Sequence, residues 1–173
     1  MQENQILISY GDQAKNMVKE LLAEVKLEAE LKTDDLIALK PNLINATKSD
    51  QGATTDPELT AGVIEYLQGK GFNNLMIIEG SWVGADTEKA FEVCGYNKLA
   101  RDYDLPLYNL KNDNFIKKTY QGLEIEIAEK ALQADYLINL PVLKGHCQTD
   151  ITCALKNLKG CISDREKRKF HRQ

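Results

Sequence analysis

Short apolar runs that end in polar or cationic residues set the limits on this fold. Residues 36–39, 75–78 and Tyr136–Leu140 are each a continuous apolar stretch, too short for a helix. Residues 5–9 and 105–110 are two more strand candidates. A strand that is apolar on both faces belongs in the middle of a parallel sheet. Between the runs the pattern turns helical. Ala14, Met17, Val18, Leu21, Leu22 and Val25 recur at helical spacing. Asp56-Pro57 is a cap and first-turn pair for a helix carrying Leu59, Val63, Ile64 and Leu67. Residues 88–94 form a further helix opened by Asp86 or Thr87, and residues 99–103 a helical turn. Glu129–Gln133 is a short helix. Residues 115–120 and 123–127 alternate around Gln121-Gly122, which predicts a hairpin inserted near 115–127 at the sheet edge. A last helix over 151–160 places Ile151, Ala154, Leu155 and Leu158 on one face and stops at Gly160. The expected fold class is α/β: an open, mostly parallel sheet with helices on both faces, a Rossmann-like three-layer arrangement.

The 173 residues suffice for a single domain, and with 43% hydrophobic and 28% charged residues the chain reads as globular. A net charge of -4, with lysines dispersed among carboxylates, excludes a nucleic-acid-binding face. No apolar run approaches the roughly 20 residues of a membrane span. The first ten residues lack a basic segment followed by an apolar one, so no leader and no membrane partner are expected and the default compartment is the cytoplasm. Cys94, Cys147, Cys153 and Cys161 form no Cys-x-x-Cys pair and match no zinc or ferredoxin spacing, so no metal ligands are assigned. The basic end, 161–173, reads as frayed or as cut before its natural stop.

Three strands end in unusual loops: Lys40-Pro41-Asn42, Glu79-Gly80-Ser81, and Asn139-Leu140-Pro141 followed by Lys144 and His146. Parallel strands bring such ends to one edge, where open α/β sheets bind ligands. The candidate ligand-binding residues are Lys40, Asn42, Thr54, Thr55, Glu79, Ser81, Thr149, Lys156 and Asn157. Lys144 and His146 are the candidate catalytic pair. Lysines and helix N-termini favour a carboxylate or phosphate, Asn and Thr orient it, and an imidazole moves protons near neutral pH. The competing reading is an ordinary connection with solvated lysines. No Gly-x-Gly-x-x-Gly or phosphate-loop motif occurs.

With these residues in view the chain resembles the uncharacterised family "domain of unknown function 362". The resemblance rests on Lys40-Pro41-Asn42, Thr54-Thr55-Asp56-Pro57, Glu79-Gly80-Ser81, Gly95-Tyr96 and Ala134-Asp135. It rests above all on the segments 138–146 and 154–160, Ile-Asn-Leu-Pro-Val-Leu-Lys-Gly-His and Ala-Leu-Lys-Asn-Leu-Lys-Gly. Gly145 departs from the Thr expected between Lys and His. Members are often labelled iron–sulfur cluster-binding proteins and usually continue further, so the resemblance implies the N-terminal portion of a longer family domain. It also implies a cluster only in a longer chain, because no cluster motif stands in these residues. The layout is also similar to the N-terminal domain of lactate racemase, which uses a nickel-pincer nucleotide. Three functions follow as expectations: a redox-associated enzyme binding a small anionic molecule, a racemase-like enzyme with a metal-bearing nucleotide, or a docking module for a ferredoxin-like partner.

Overall fold

A computed structural model of the chain describes residues 5–147 and 149–170. Helix α1 (Ala14–Val25) precedes the first strand, β1 (Ile37–Pro41). Then come α2 (Pro57–Gly69), β2 (Leu75–Glu79), α3 (Thr87–Val93), α4 (Tyr96–Asp102) and β3 (Leu107–Asn109). The hairpin strands β4 (Phe115–Tyr120) and β5 (Leu123–Ala128), helix α5 (Glu129–Gln133) and strand β6 (Tyr136–Leu140) follow. The C-terminal part holds β7 (Lys144–His146), β8 (Asp150–Thr152), α6 (Ala154–Asn157) and α7 (Asp164–Lys169).

The central sheet has the order β3-β2-β1-β6, with every pair parallel. The chain steps outward from β1 to β3, then returns to place β6 on the free side of β1. Strand order therefore reverses at β1, and ligand crevices of open α/β sheets lie at such a reversal. Ile37, Leu39, Leu75 and Ile77 face a core completed by Val63, Ile64, Phe91 and Tyr96 from the helices. Ala38, Met76 and Ile78 face a second, smaller core with Leu110, Ala128, Cys161 and, from α5, Ala131. The expected α/β architecture is present, with helices flanking the sheet and two antiparallel hairpins attached. Among the described residues no helix is long and apolar enough to cross a membrane.

Several local expectations need correction. Residues 5–9 form no strand; Ile6 and Ile8 are exposed, because β1 already has neighbours on both sides. Strand β1 runs through Pro41, which pairs with Leu140 as the last residue of the ladder, where its missing N–H breaks nothing. The helix expected over 151–160 is a strand, one helical turn and a 3-10 turn (Leu158–Cys161). Its apolar face is turned outward, with Leu155 87% exposed, while Asn157 is buried. The end read as frayed is ordered over 161–170: Ile162 bridges to Ile127, Ser163 caps α7, and Glu166 and Lys167 are buried. His171 lies outside the described residues.

Helix α1 rides directly on α2 at Gly62. A Cβ there would lie 2.5 Å from Val18 Cγ1 and 2.7 Å from the Lys15 carbonyl oxygen. Alanine is the better helix former by about 1 kcal/mol, but this clash involves backbone and cannot relax by a rotamer change. Gly62→Ala should lower stability by about 1–3 kcal/mol, the cost of overpacking. A denaturant midpoint at or above that of the parent would refute the close approach.

Candidate anion-binding cleft

The floor of the site is a buried ion pair. Lys40, fully buried, donates from Nζ to both Glu79 carboxylate oxygens at 2.8 and 2.9 Å, to the Pro41 carbonyl at 2.8 Å and to Asn157 Oδ1 at 3.3 Å. Glu79 also accepts from the Leu43 and Gly80 amides, at 2.9 and 2.7 Å. The chain passes close above this pair at Gly160, where a Cβ would lie 2.5 Å from Glu79 Oε1 and 2.6 Å from Lys40 Cε. Asn157 closes the group by donating to the Lys40 and Pro41 carbonyls and to Asn139 Oδ1. Lys40 and Glu79 are thus saturated by protein partners and join β1 to β2 rather than facing solvent.

Thr55 ties β1 to β6: its hydroxyl accepts from the Asn42 amide at 2.8 Å and donates to the Leu140 carbonyl at 2.7 Å. Thr54 donates to the Thr47 carbonyl, and Ser81 to the Leu43 carbonyl. These three threonine and serine hydroxyls are spent on shaping loops.

Above this floor opens a cleft of ≈ 870 Å³. One wall is Leu43, Ile44, Trp82 and Val83 from the loops after β1 and β2. The other is the β7–β8 ribbon and the segment after it. In this ribbon Lys144 pairs with Thr152 and His146 with Asp150. Residues two apart on a strand, and those directly opposite, share a face. Lys144, His146 and Thr152 accordingly line the cleft, while Ile151 stands outside, 56% exposed. Lys144 Nζ is fixed by Asn42 Oδ1 at 2.7 Å and by the Ala53 carbonyl. His146 Nδ1 accepts from the Thr149 amide at 3.3 Å, which leaves the proton of the neutral ring on Nε2. The Thr149 side chain itself is exposed and bonded to the Ile151 carbonyl.

The described lining carries Lys144, Lys156, Lys159, Lys167, Arg168 and His146 against one carboxylate, the already paired Glu79. Burial lowers the pKa of Lys144, and only the charge of Glu79 opposes this. Burial, then Lys159, lowers that of Lys156; burial, then Lys167, lowers that of Lys159. His146 is held below the usual imidazole value by burial and by Lys156, Lys159 and Lys144. Thr152 Oγ1 is buried with no hydrogen-bond partner. Lys156 has no hydrogen-bond or ion-pair partner among the described residues.

Of the residues singled out from the sequence, Asn42, Glu79, Ser81, Lys144, His146, Lys156 and Asn157 meet at this cleft. Lys40, Thr54, Thr55 and Thr149 do not line it. Sequence reasoning missed Thr152, Lys159, Trp82, Lys167 and Arg168. Lys159 follows Lys156 by three residues in the Lys-Asn-Leu-Lys run, and Trp82 is the chain's single tryptophan; both signals were available. Lys167 and Arg168 lie in the basic end 161–173, whose composition carries no sign of burial.

Residues 37–173 match the family described as Domain of unknown function (DUF362). The chain belongs to this family. A curated relative, the thylakoid-associated protein sll1697 of Synechocystis sp. (strain ATCC 27184 / PCC 6803 / Kazusa), is 29% identical over 141 residues. That alignment covers 82% of this chain and 43% of the relative, so the chain spans less than half of the relative's length. No solved structure matches. The iron–sulfur label that the family resemblance suggested finds no fit in these residues. Cys94 and Cys161 are buried in different cores, and among the described residues no group of three His, Cys, Asp or Glu is placed to hold a metal.

Removing one partner of a fully buried ion pair leaves an uncompensated charge and costs about 3–5 kcal/mol. Glu79→Gln should lower unfolding free energy by about that amount, read from guanidinium denaturation, since Lys40 is 0% exposed. A loss below about 1 kcal/mol would mean the pair is not the floor described.

Proposed function

We propose that this DUF362 domain binds a small anion, a phosphate or carboxylate compound, in the cleft between the β1 and β2 loops and the β7–β8 ribbon. The observation that carries this reading is the half-buried set of Lys144, Lys156 and Lys159 beside His146, where the one carboxylate among the described lining residues, Glu79, is already paired with Lys40. Burial first, and for His146, Lys156 and Lys159 also the neighbouring cations, depresses basicity there, which suits a site that meets an anion. A cleft lined by one sign of charge concentrates the opposite ion, even on a chain of net charge -4. In this reading Lys156 and Lys159 bind the anion, Lys144 and Asn42 fix its position, and the Thr152 hydroxyl gains a partner. His146 exchanges a proton with the ligand, as the first-choice catalytic group. The expected setting is the cytoplasm, where the four free cysteines stay reduced.

Pyrophosphate is a suitable first probe by isothermal titration calorimetry. Lys156→Ala with Lys159→Ala should weaken binding at least tenfold, because charge-assisted contacts are worth about 1.5–3 kcal/mol each. Unchanged affinity, or no binding by the parent, would sink the reading.

The pH dependence has a defined sign. A folded imidazole with depressed pKa stabilises the fold when neutral, so the ligand-free chain should lose stability as pH falls below about 6.5, the ordinary His value. A bound anion offsets the lysine repulsion and favours the imidazolium, so binding takes up protons below that pH. Sulfate, whose own charge is constant there, should bind more tightly at pH 5.5 than at pH 8 to the parent, with the gain much reduced in His146→Gln. Equal gains in both chains would remove His146 from the site.

A second reading is favoured by one observation. Leu143, Ile151 and Leu155 are 70%, 56% and 87% exposed on the segment that forms the cleft. Exposed apolar patches mark docking surfaces, and a ferredoxin-like partner is the candidate. Leu143→Ser with Leu155→Ser would then abolish ferredoxin binding and leave pyrophosphate affinity intact.

A further inference from the structure

Trp82 is the chain's single tryptophan, 58% exposed on the cleft's apolar wall. An indole buries more apolar surface than most side chains when it is covered, and proteins seldom leave one open without a use. Its backbone is held on both sides. The Trp82 amide donates to the Ile44 carbonyl at 3.0 Å, and its carbonyl accepts from the Ala85 amide at 2.8 Å. Lys111 Nζ donates to the carbonyls of Trp82, Val83 and Ala85 at 3.1, 3.3 and 2.8 Å. Asp164 of α7 pairs with Lys111 at 3.3 Å, and Lys167 donates to the Gly80 and Ser81 carbonyls. Two ammonium groups therefore pin one short loop.

The ring itself lies against Gly84. A Cβ at that position would stand 2.4 Å from Trp82 Cζ3 and 2.6 Å from Cη2. The indole is backed by main chain at Gly84, and the residue stays 58% exposed. An immobilised loop presenting an exposed ring is the arrangement used to stack planar groups, and such a platform costs little to order on binding.

We propose that the ligand of this cleft is an aromatic phosphoester: its phosphate is held by Lys156 and Lys159, and its planar ring stacks on Trp82. The proposal rests on the anion-binding reading above and adds the ring. The cleft volume of ≈ 870 Å³ lies within the range of small-molecule sites and exceeds what a bare phosphate needs.

The single tryptophan supplies the test. Titration of the whole chain with adenosine 5'-monophosphate, exciting the indole selectively, should give saturable quenching. Calorimetry should give a dissociation constant about tenfold lower for adenosine monophosphate than for ribose 5-phosphate, the usual size of a base–aromatic stack. Trp82→Leu should bring the two ligands to the same affinity while ribose 5-phosphate binding and the melting temperature stay as in the parent. Equal affinities in the parent, or a preference that survives Trp82→Leu, would overturn the stacking role and leave the anion site standing. Failure of both ligands and of pyrophosphate to bind would overturn the anion site and this inference together.

Discussion

The buried Lys40–Glu79 pair is the constraint on which the rest of the site depends. Bringing an ammonium and a carboxylate out of water costs several kcal/mol per ion, and their attraction repays that only when every remaining donor and acceptor is met. Here each is met. Asn157 and the Pro41 carbonyl take the remaining lysine protons, and two main-chain amides complete the carboxylate. The pair can form only if β1 and β2 end level with each other and if the late segment carrying Asn157 and Gly160 is drawn over them. A glycine is required at 160 because any side chain there would occupy the space of the ions. One electrostatic contact thereby fixes two strand ends and the roof above them.

The same arrangement explains the division between buried and available lysines. Lys40, Lys111 and Lys167 are engaged with carboxylates and carbonyls of the chain itself and serve as struts. Lys156 and Lys159 line the cleft with fewer partners, Lys159 donating to the Lys167 carbonyl at 3.3 Å, and their proximity to one another and to His146 raises the cost of keeping all of them charged.

The sheet was legible because its strands are continuous apolar runs with no competing period. Tyr136–Leu140, Glu129–Gln133 and the Gln121-Gly122 hairpin fell where the residues placed them. The convergence of loops was legible too, since parallel strands share an edge. Besides residues 5–9, which form no strand, and the ordered end 161–170, three features were not. The pattern of Ile151, Ala154, Leu155 and Leu158 has helical spacing, yet the structure prefers to bury Asn157, whose amide meets four partners at the strand ends. Tertiary hydrogen bonding overrode local periodicity there. The β7–β8 ribbon is three residues on each side, below the length at which alternation is distinguishable from chance. The partnership of Lys40 with Glu79 spans 39 positions, and nothing local marks either residue as internal rather than ligand-facing.

Strand β6 pairs with β1 in a ladder from Ile37↔Tyr136 to Pro41↔Leu140. One side of the central strand therefore waits for residues made about a hundred positions later, whereas its other side is met by the much nearer β2. Closing so long a loop is entropically slow, and contacts of this range dominate folding time. During synthesis β1 is for that interval an apolar edge strand with open main-chain groups, the kind of surface that recruits foreign strands. The cleft's cationic wall arrives later still. The closing of β1 and the completion of the cleft are thus consecutive late events of folding.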